Sequence, residues 1–149
     1  AMALDFLRAS LKFLTDEDLQ LLAQRLQAQQ YRAGDTILRE GDRHQGIWVL
    51  RSGSAQVVQD FLGTQAEINH LDAPALFGEM SFLESRPASA SVIANENCDV
   101  AFCDGLELQS LLASVPGLGC RFYHSIAVVL SGRLRRLRGG GSSTSEPWG

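Results

Sequence analysis

The residues best placed to do chemistry in this 149-residue chain are Gly78 and Glu79, which stand directly ahead of a short apolar run, Met80 to Leu83. Such a run reads as a brief helical turn, and the unpaired amides that open a helix form a seat for an anion such as a phosphate. Glu79 complicates that seat. A carboxylate taken out of water is costly unless a ligand hydroxyl or backbone amides bond to it. At the start of a turn it can equally act as a cap, favoured by the turn's own dipole.

This is the chemistry of holding a ligand rather than of breaking bonds. His44, His70 and His124 fall in different elements and match no metal or triad spacing. There is no G-x-S-x-G, H-E-x-x-H or Walker pattern, and Gly139-Gly140-Gly141 is too short and too late for a phosphate loop. The expectation is therefore a non-enzyme with no catalytic residue, no metal and no resident cofactor. Cys98, Cys103 and Cys120 are odd in number and include no C-x-x-C pair, so they are expected to be reduced and mostly buried.

The elements that must position Gly78 and Glu79 follow from periodicity. Leu4, Leu7, Leu11 and Leu14 recur at helical spacing, and Thr15-Asp16-Glu17-Asp18 reads as the cap of a second helix carrying Leu19, Leu22 and Leu26. Short β-type runs follow: Thr36 to Arg39, Ile47 to Arg51, Ala55 to Gln59, Glu67 to Leu71, Ala90 to Ala94 and Asp99 to Cys103. Gly34-Asp35, Gly41-Asp42, Ser52-Gly53 and Gly63-Thr64 mark turns between them. Pro74 to Pro87 reads as irregular. Leu108, Leu111 and Leu112 predict a short helix, and Phe122, Ile126, Val129, Leu130, Leu134 and Leu137 the apolar stripe of a longer one that the glycine run stops. The fold class expected is α+β, an antiparallel β-roll with helices at either end. Its parts are N-terminal helices over 4–30, the roll over 31–103, C-terminal helices over 104–138 and a Gly/Ser-rich tail over 139–149.

The segment Phe77-Gly78-Glu79-Met80-Ser81-Phe82-Leu83-Glu84-Ser85-Arg86-Pro87-Ala88-Ser89-Ala90-Ser91-Val92 resembles the phosphate-binding cassette of the cyclic-nucleotide-binding domain family, found in catabolite activators, protein kinase A regulatory subunits and cyclic-nucleotide-gated channels. Ala33-Gly34-Asp35, Glu40-Gly41-Asp42 and Trp48-Val49-Leu50-Arg51-Ser52-Gly53 fall where that family has its other signatures. The resemblance implies that Glu79 accepts a ribose 2′-hydroxyl and that Gly78 lets the backbone approach the sugar phosphate. Ser89, Ala90 and Ser91 would present amide or hydroxyl donors, with Met80 and Ser81 in the same ligand-binding set. Phe77, Met80, Phe82 and Leu83 would pack.

One departure matters. Where the family has an arginine for the cyclic phosphate, directly after the cassette proline, this chain has Ala88. A hydrogen bond to a charged group contributes about 1.5–3 kcal/mol, so its loss should weaken a cyclic nucleotide by roughly one to two decades. Arg86 could bend inward to replace it, but Pro87 fixes the local backbone and solvated surface is the expectation for Arg86.

Composition agrees with a single folded domain: 45% hydrophobic, 20% charged, net charge −4. Every acidic residue except Glu146 lies at or before Glu107, while Arg121, Arg133, Arg135, Arg136 and Arg138 crowd the end. These arginines are expected to be solvated and to favour the helix C-terminus through its dipole. No run is long enough to span a bilayer, and no signal segment opens the chain, so the cytoplasm is the expected compartment. The function expected is a regulatory domain sensing a nucleotide-like small molecule such as cAMP or cGMP, with occupancy coupled to the C-terminal helix. A homodimer through that helix is expected, and DNA binding is not. The alternative is a degenerate domain that binds no nucleotide and serves as a dimerisation scaffold.

Overall fold

The cap expected at Thr15 forms as a reciprocal pair: Thr15 Oγ1 accepts the Asp18 N–H at 3.1 Å, and the Asp18 carboxylate accepts the Thr15 N–H at 2.9 Å. It separates α1 (Asp5–Ser10) from α2 (Asp16–Ala23). The computed structural model describes residues 4–140, the last three by backbone alone; the expected tail from 141 onward lies outside the described residues.

Eight strands follow: β1 (Gln27–Tyr31), β2 (Thr36–Leu38), β3 (Gly46–Ser52), β4 (Ser54–Phe61), β5 (Thr64–Asp72), β6 (Ala75–Phe77), β7 (Ser91–Ala94) and β8 (Cys98–Asp104). They pair antiparallel as two four-stranded sheets, in the orders β1-β8-β3-β6 and β2-β7-β4-β5. Between β6 and β7 sits α3 (Glu79–Glu84); α4 (Gly105–Ser114) and α5 (Leu118–Gly140) end the chain. The α+β roll with flanking helices is thus the architecture anticipated.

Strand period explains the layering. β3 and β8 are apolar on both faces because each face meets a different core. Ile47, Val49, Ala101 and Cys103 pack against the helices, with Leu7, Leu11, Leu19, Phe122 and Ile126. Trp48, Leu50, Val100 and Phe102 point into the roll, against Leu38, Val92 and Phe77. The second sheet closes over that inner face and leaves its other side to solvent; in β5 only Leu71 is fully buried.

Two strands differ from expectation. Gln27–Tyr31 is a strand that begins inside the stretch assigned to helices over 4–30: its polar sequence has no apolar period, and it is held by the open edge of β8, Gln27 opposite Phe102 through Tyr31 opposite Cys98. Ala75–Phe77 lies in the stretch taken as irregular and pairs with β3, Trp48 opposite Phe77. At the other end, α5 runs on to Gly140, into the glycine run.

α5 is fastened along its length. Phe122 and Ile126 are fully buried, each contributing about 1.5–3 kcal/mol of burial. Arg121 pairs with buried Asp18 at 2.6 and 2.9 Å. Ser125 Oγ accepts the Phe13 N–H at 2.9 Å and donates to the Arg121 carbonyl at 2.8 Å. The helix is thereby aimed along the end of the roll, past Glu79.

Candidate ligand-binding site

The turn from β6 into α3 can be made only by glycine. Gly78 has φ of +81°, and a Cβ there would lie 2.3 Å from Trp48 Cε3, a distance no packing tolerates. Trp48 is held in turn by stacking on Phe77, 6.0 Å between centroids. Ser81 Oγ donates to the Gly78 carbonyl at 3.1 Å, which steadies the first turn of α3. The chain then returns, and its backbone is pinned at Ala88, whose N–H donates to the Asp42 carbonyl at 2.9 Å and whose carbonyl accepts the Gly41 N–H at 2.8 Å.

The two segments face each other across a cavity of about 130 Å³ inside the cup. Gly78, Glu79, Met80 and Ser81 line one side, Ala88, Ser89 and Ala90 the other, and Leu38, Val57, Leu71 and Val92 supply an apolar wall. Seven of the nine residues singled out from sequence therefore meet at one place. Ser91 and Arg86 do not. Ser91 Oγ accepts the Glu40 N–H at 2.8 Å, and Arg86 is exposed, away from the cavity, as its place before Pro87 suggested. Met80 and Leu83, expected as packing residues, are 51% and 38% exposed, Met80 on the cavity edge and Leu83 outside its lining; Phe77 and Phe82 are buried as expected.

Glu79 is 1% exposed. Neither a cap nor backbone amides satisfy it: the Arg133 guanidinium, reaching in from α5, donates to Glu79 Oε1 and to the Leu76 carbonyl. The reading of Arg133 as a solvated dipole partner is corrected here, since its side chain is 21% exposed and forms part of the cavity wall. The physical reason is phase. Arg133 is two turns beyond buried Ile126 and three residues beyond Leu130, on the face α5 turns inward. A signal was present in the sequence: a glutamate destined for burial needs a cation, and Arg133 is the terminal arginine in register with the apolar stripe.

Asp104 and the three histidines make their contacts outside this cavity. Asp104 accepts the Leu106 and Glu107 N–H groups at the start of α4 and bonds to His44 at 2.8 Å; His44, chiefly, holds its carboxyl below the ordinary range. His124 stacks on Phe13 at 3.7 Å and His70 bonds to Asp72 at 3.0 Å, so the three histidines are dispersed, and no metal-ligand cluster occurs among the described residues. Cys98 and Cys103 are buried and Cys120 is exposed; burial pushes the Cys103 thiol up to about 12. No described helix is long and apolar enough to cross a membrane.

The cavity thus offers an acceptor, small residues that leave backbone accessible, and an apolar wall. Arg133 is the one cation among its lining residues, and it sits at the Glu79 end rather than beside Ala88.

Comparison with known proteins agrees with this geometry. The family model described as cyclic nucleotide-binding domain matches residues 28–115, more than half of the chain. A cAMP-dependent protein kinase regulatory subunit from Colletotrichum orbiculare is 34% identical over 117 residues, covering 76% of this chain and 29% of that protein. A cyclic GMP-binding protein C from Dictyostelium discoideum is 30% identical over 145 residues, 91% of this chain and 6% of that protein. The chain therefore spans less than a third of either relative. Among solved structures, a cyclic nucleotide-binding domain from Methylobacillus flagellatus superposes with a TM-score of 0.79 at 23% identity, over 95% of this chain and 88% of that one, a likeness of fold.

Proposed function

The chain belongs to the cyclic nucleotide-binding domain family, and we propose that it is a regulatory sensor in which a cyclic nucleotide entering the cup competes with α5 for Glu79. The observation that carries this reading is the Arg133–Glu79 pair. The carboxylate that the family resemblance assigns to a ribose hydroxyl is held by an arginine of the C-terminal helix. A ligand diol and Arg133 then seek the same oxygens, so occupancy and helix position are linked.

Size points the same way. A cavity of about 130 Å³ is smaller than the roughly 300 Å³ at which small-molecule pockets begin. A nucleotide therefore enters only as Arg133 withdraws and the end of α5 shifts. Gly78 and Glu79 would take the ribose, and the amides of Ser89 and Ala90 the phosphate. With Ala88 in place of a cation, affinity for cAMP or cGMP would be one to two decades below that of a site with the arginine. Exposed Leu134 and Leu137 support pairing of α5 with a second copy as the output.

A second reading, a scaffold that binds no nucleotide, draws on the same pair: Glu79 is already satisfied without any ligand. Titration with cAMP and cGMP, read by thermal shift and calorimetry, separates the two. The sensor gives a saturable rise in Tm, reaching about 2.7 kcal/mol of added stability at a hundred times Kd. No shift at millimolar nucleotide selects the scaffold.

A further inference from the structure

Beside Arg133 lies a second and larger cavity of about 470 Å³, between the end of α1, the β5–β6 turn and α5. Its volume is within the range of small-molecule sites. It shares only Leu71 and Arg133 with the cup. Lys12, Arg133 and Arg136 line it, against one carboxylate, Asp72, which is bonded to His70 at 3.0 Å. Among the described residues neither Lys12 nor Arg136 has a carboxylate within ion-pairing distance.

A separate observation marks the same place. Ser10, on the wall of this groove, is 6% exposed, and its Oγ has no hydrogen-bond partner among the described residues. Buried hydroxyls are almost always bonded, because an orphaned one carries its full desolvation cost. An O–H donor lacking an acceptor, set among permanent cations, matches a ligand rich in anionic oxygens. A phosphate-class oxyanion is the chemistry that fits, since guanidinium groups receive it with paired N–H donors.

We propose that this groove is a second ligand site for a phosphate-bearing small anion, contacted by Lys12, Arg136, Ser10 Oγ and the Arg133 guanidinium. Because Arg133 belongs to both cavities, an anion in the groove draws its guanidinium off Glu79 and favours occupancy of the cup; by linkage, the cup's ligand strengthens anion binding by the same factor. The coupling rests on the sensor reading above. The groove site itself does not.

The test uses the whole 149-residue chain without nucleotide. Sodium pyrophosphate and inorganic phosphate are titrated by calorimetry against sodium chloride of matched ionic strength. Saturable one-to-one binding is expected, with Lys12→Ala and Arg136→Ala each weakening pyrophosphate about tenfold, as loss of a charge-assisted hydrogen bond does. Ser10→Ala should also weaken binding while leaving Tm unchanged or higher, a combination that an idle buried hydroxyl would not produce. A response that does not saturate or that chloride reproduces, or a Lys12→Ala/Arg136→Ala protein that binds as the parent does, overturns the site. So does a loss of cAMP affinity at saturating pyrophosphate, which would locate the anion in the cup. Coupling is read separately as a severalfold gain in cAMP affinity at saturating pyrophosphate. An unchanged cAMP affinity removes the coupling and leaves the site standing, and absence of cAMP binding altogether overturns the sensor reading alone.

Discussion

Replacing Ala88 with arginine tests the ligand geometry most directly. Ala88 is 7% exposed and lines the cup, with its backbone held on both sides by Asp42 and Gly41, so the direction in which a longer side chain leaves is set. The cup has no second carboxylate to receive the new cation, because Glu79, its one buried acid, is taken by Arg133. Without ligand, Ala88→Arg should therefore destabilise by the cost of a poorly satisfied buried charge, about 1–3 kcal/mol, and at roughly 2–4 °C per kcal/mol for a chain of this size Tm should fall. With a cyclic phosphate present the guanidinium gains its partner. A charge-assisted hydrogen bond of about 1.5–3 kcal/mol should tighten binding ten- to a hundredfold, and ligand at a hundred times Kd adds about 2.7 kcal/mol, returning Tm to or above that of the parent protein. Calorimetry supplies the affinity ratio and thermal shift the two melting temperatures. Affinity unchanged by Ala88→Arg, in a protein that still melts cooperatively, would mean that no phosphate approaches residue 88, and the assignment of the cup would be wrong.

Arg133→Met leaves Glu79 buried without a cation and should cost about 3–5 kcal/mol in denaturant unfolding; in a double-mutant cycle with Glu79→Gln the losses should be far from additive, and additive losses would refute the pair. Asp18 is held below the ordinary carboxyl range chiefly by its hydrogen bond from Arg121, with burial opposing. A folded pKa below the unfolded value stabilises above about pH 4 and is lost as pH falls through the lowered value. Arg121→Met should lower urea midpoints at pH 7 and flatten their decline below pH 4, and a slope equal to the parent's would exclude this pair as its source. In native protein a thiol reagent such as DTNB should modify Cys120 alone, since Cys98 and Cys103 are buried and their thiols raised by burial, whereas denatured protein should titrate all three cysteines; rapid native reaction of two would contradict the packing of β8.

The amino-acid sequence by itself determined the parts of this protein that depend on neighbours a few residues apart. The Thr15 cap, the two-sided apolar strands β3 and β8, the glycine turn into α3 and the absence of a cation at residue 88 are local patterns, legible because strand period, turn stereochemistry and a contiguous motif act over short distances. What only the tertiary structure decided are meetings between distant segments. β1 has no apolar period and exists because β8 presents an open edge to it. β6 pairs on the strength of β3 alone. Ser91, which by motif belongs with the ligand donors, bonds instead to the Glu40 amide, and Glu79 finds its cation 54 residues away on α5. A buried charge or an unpaired strand edge states in the sequence that a partner is required, but which group fills the requirement depends on how whole elements pack, and that choice is made by the summed burial of Phe122, Ile126 and their neighbours rather than by the residues that finally touch.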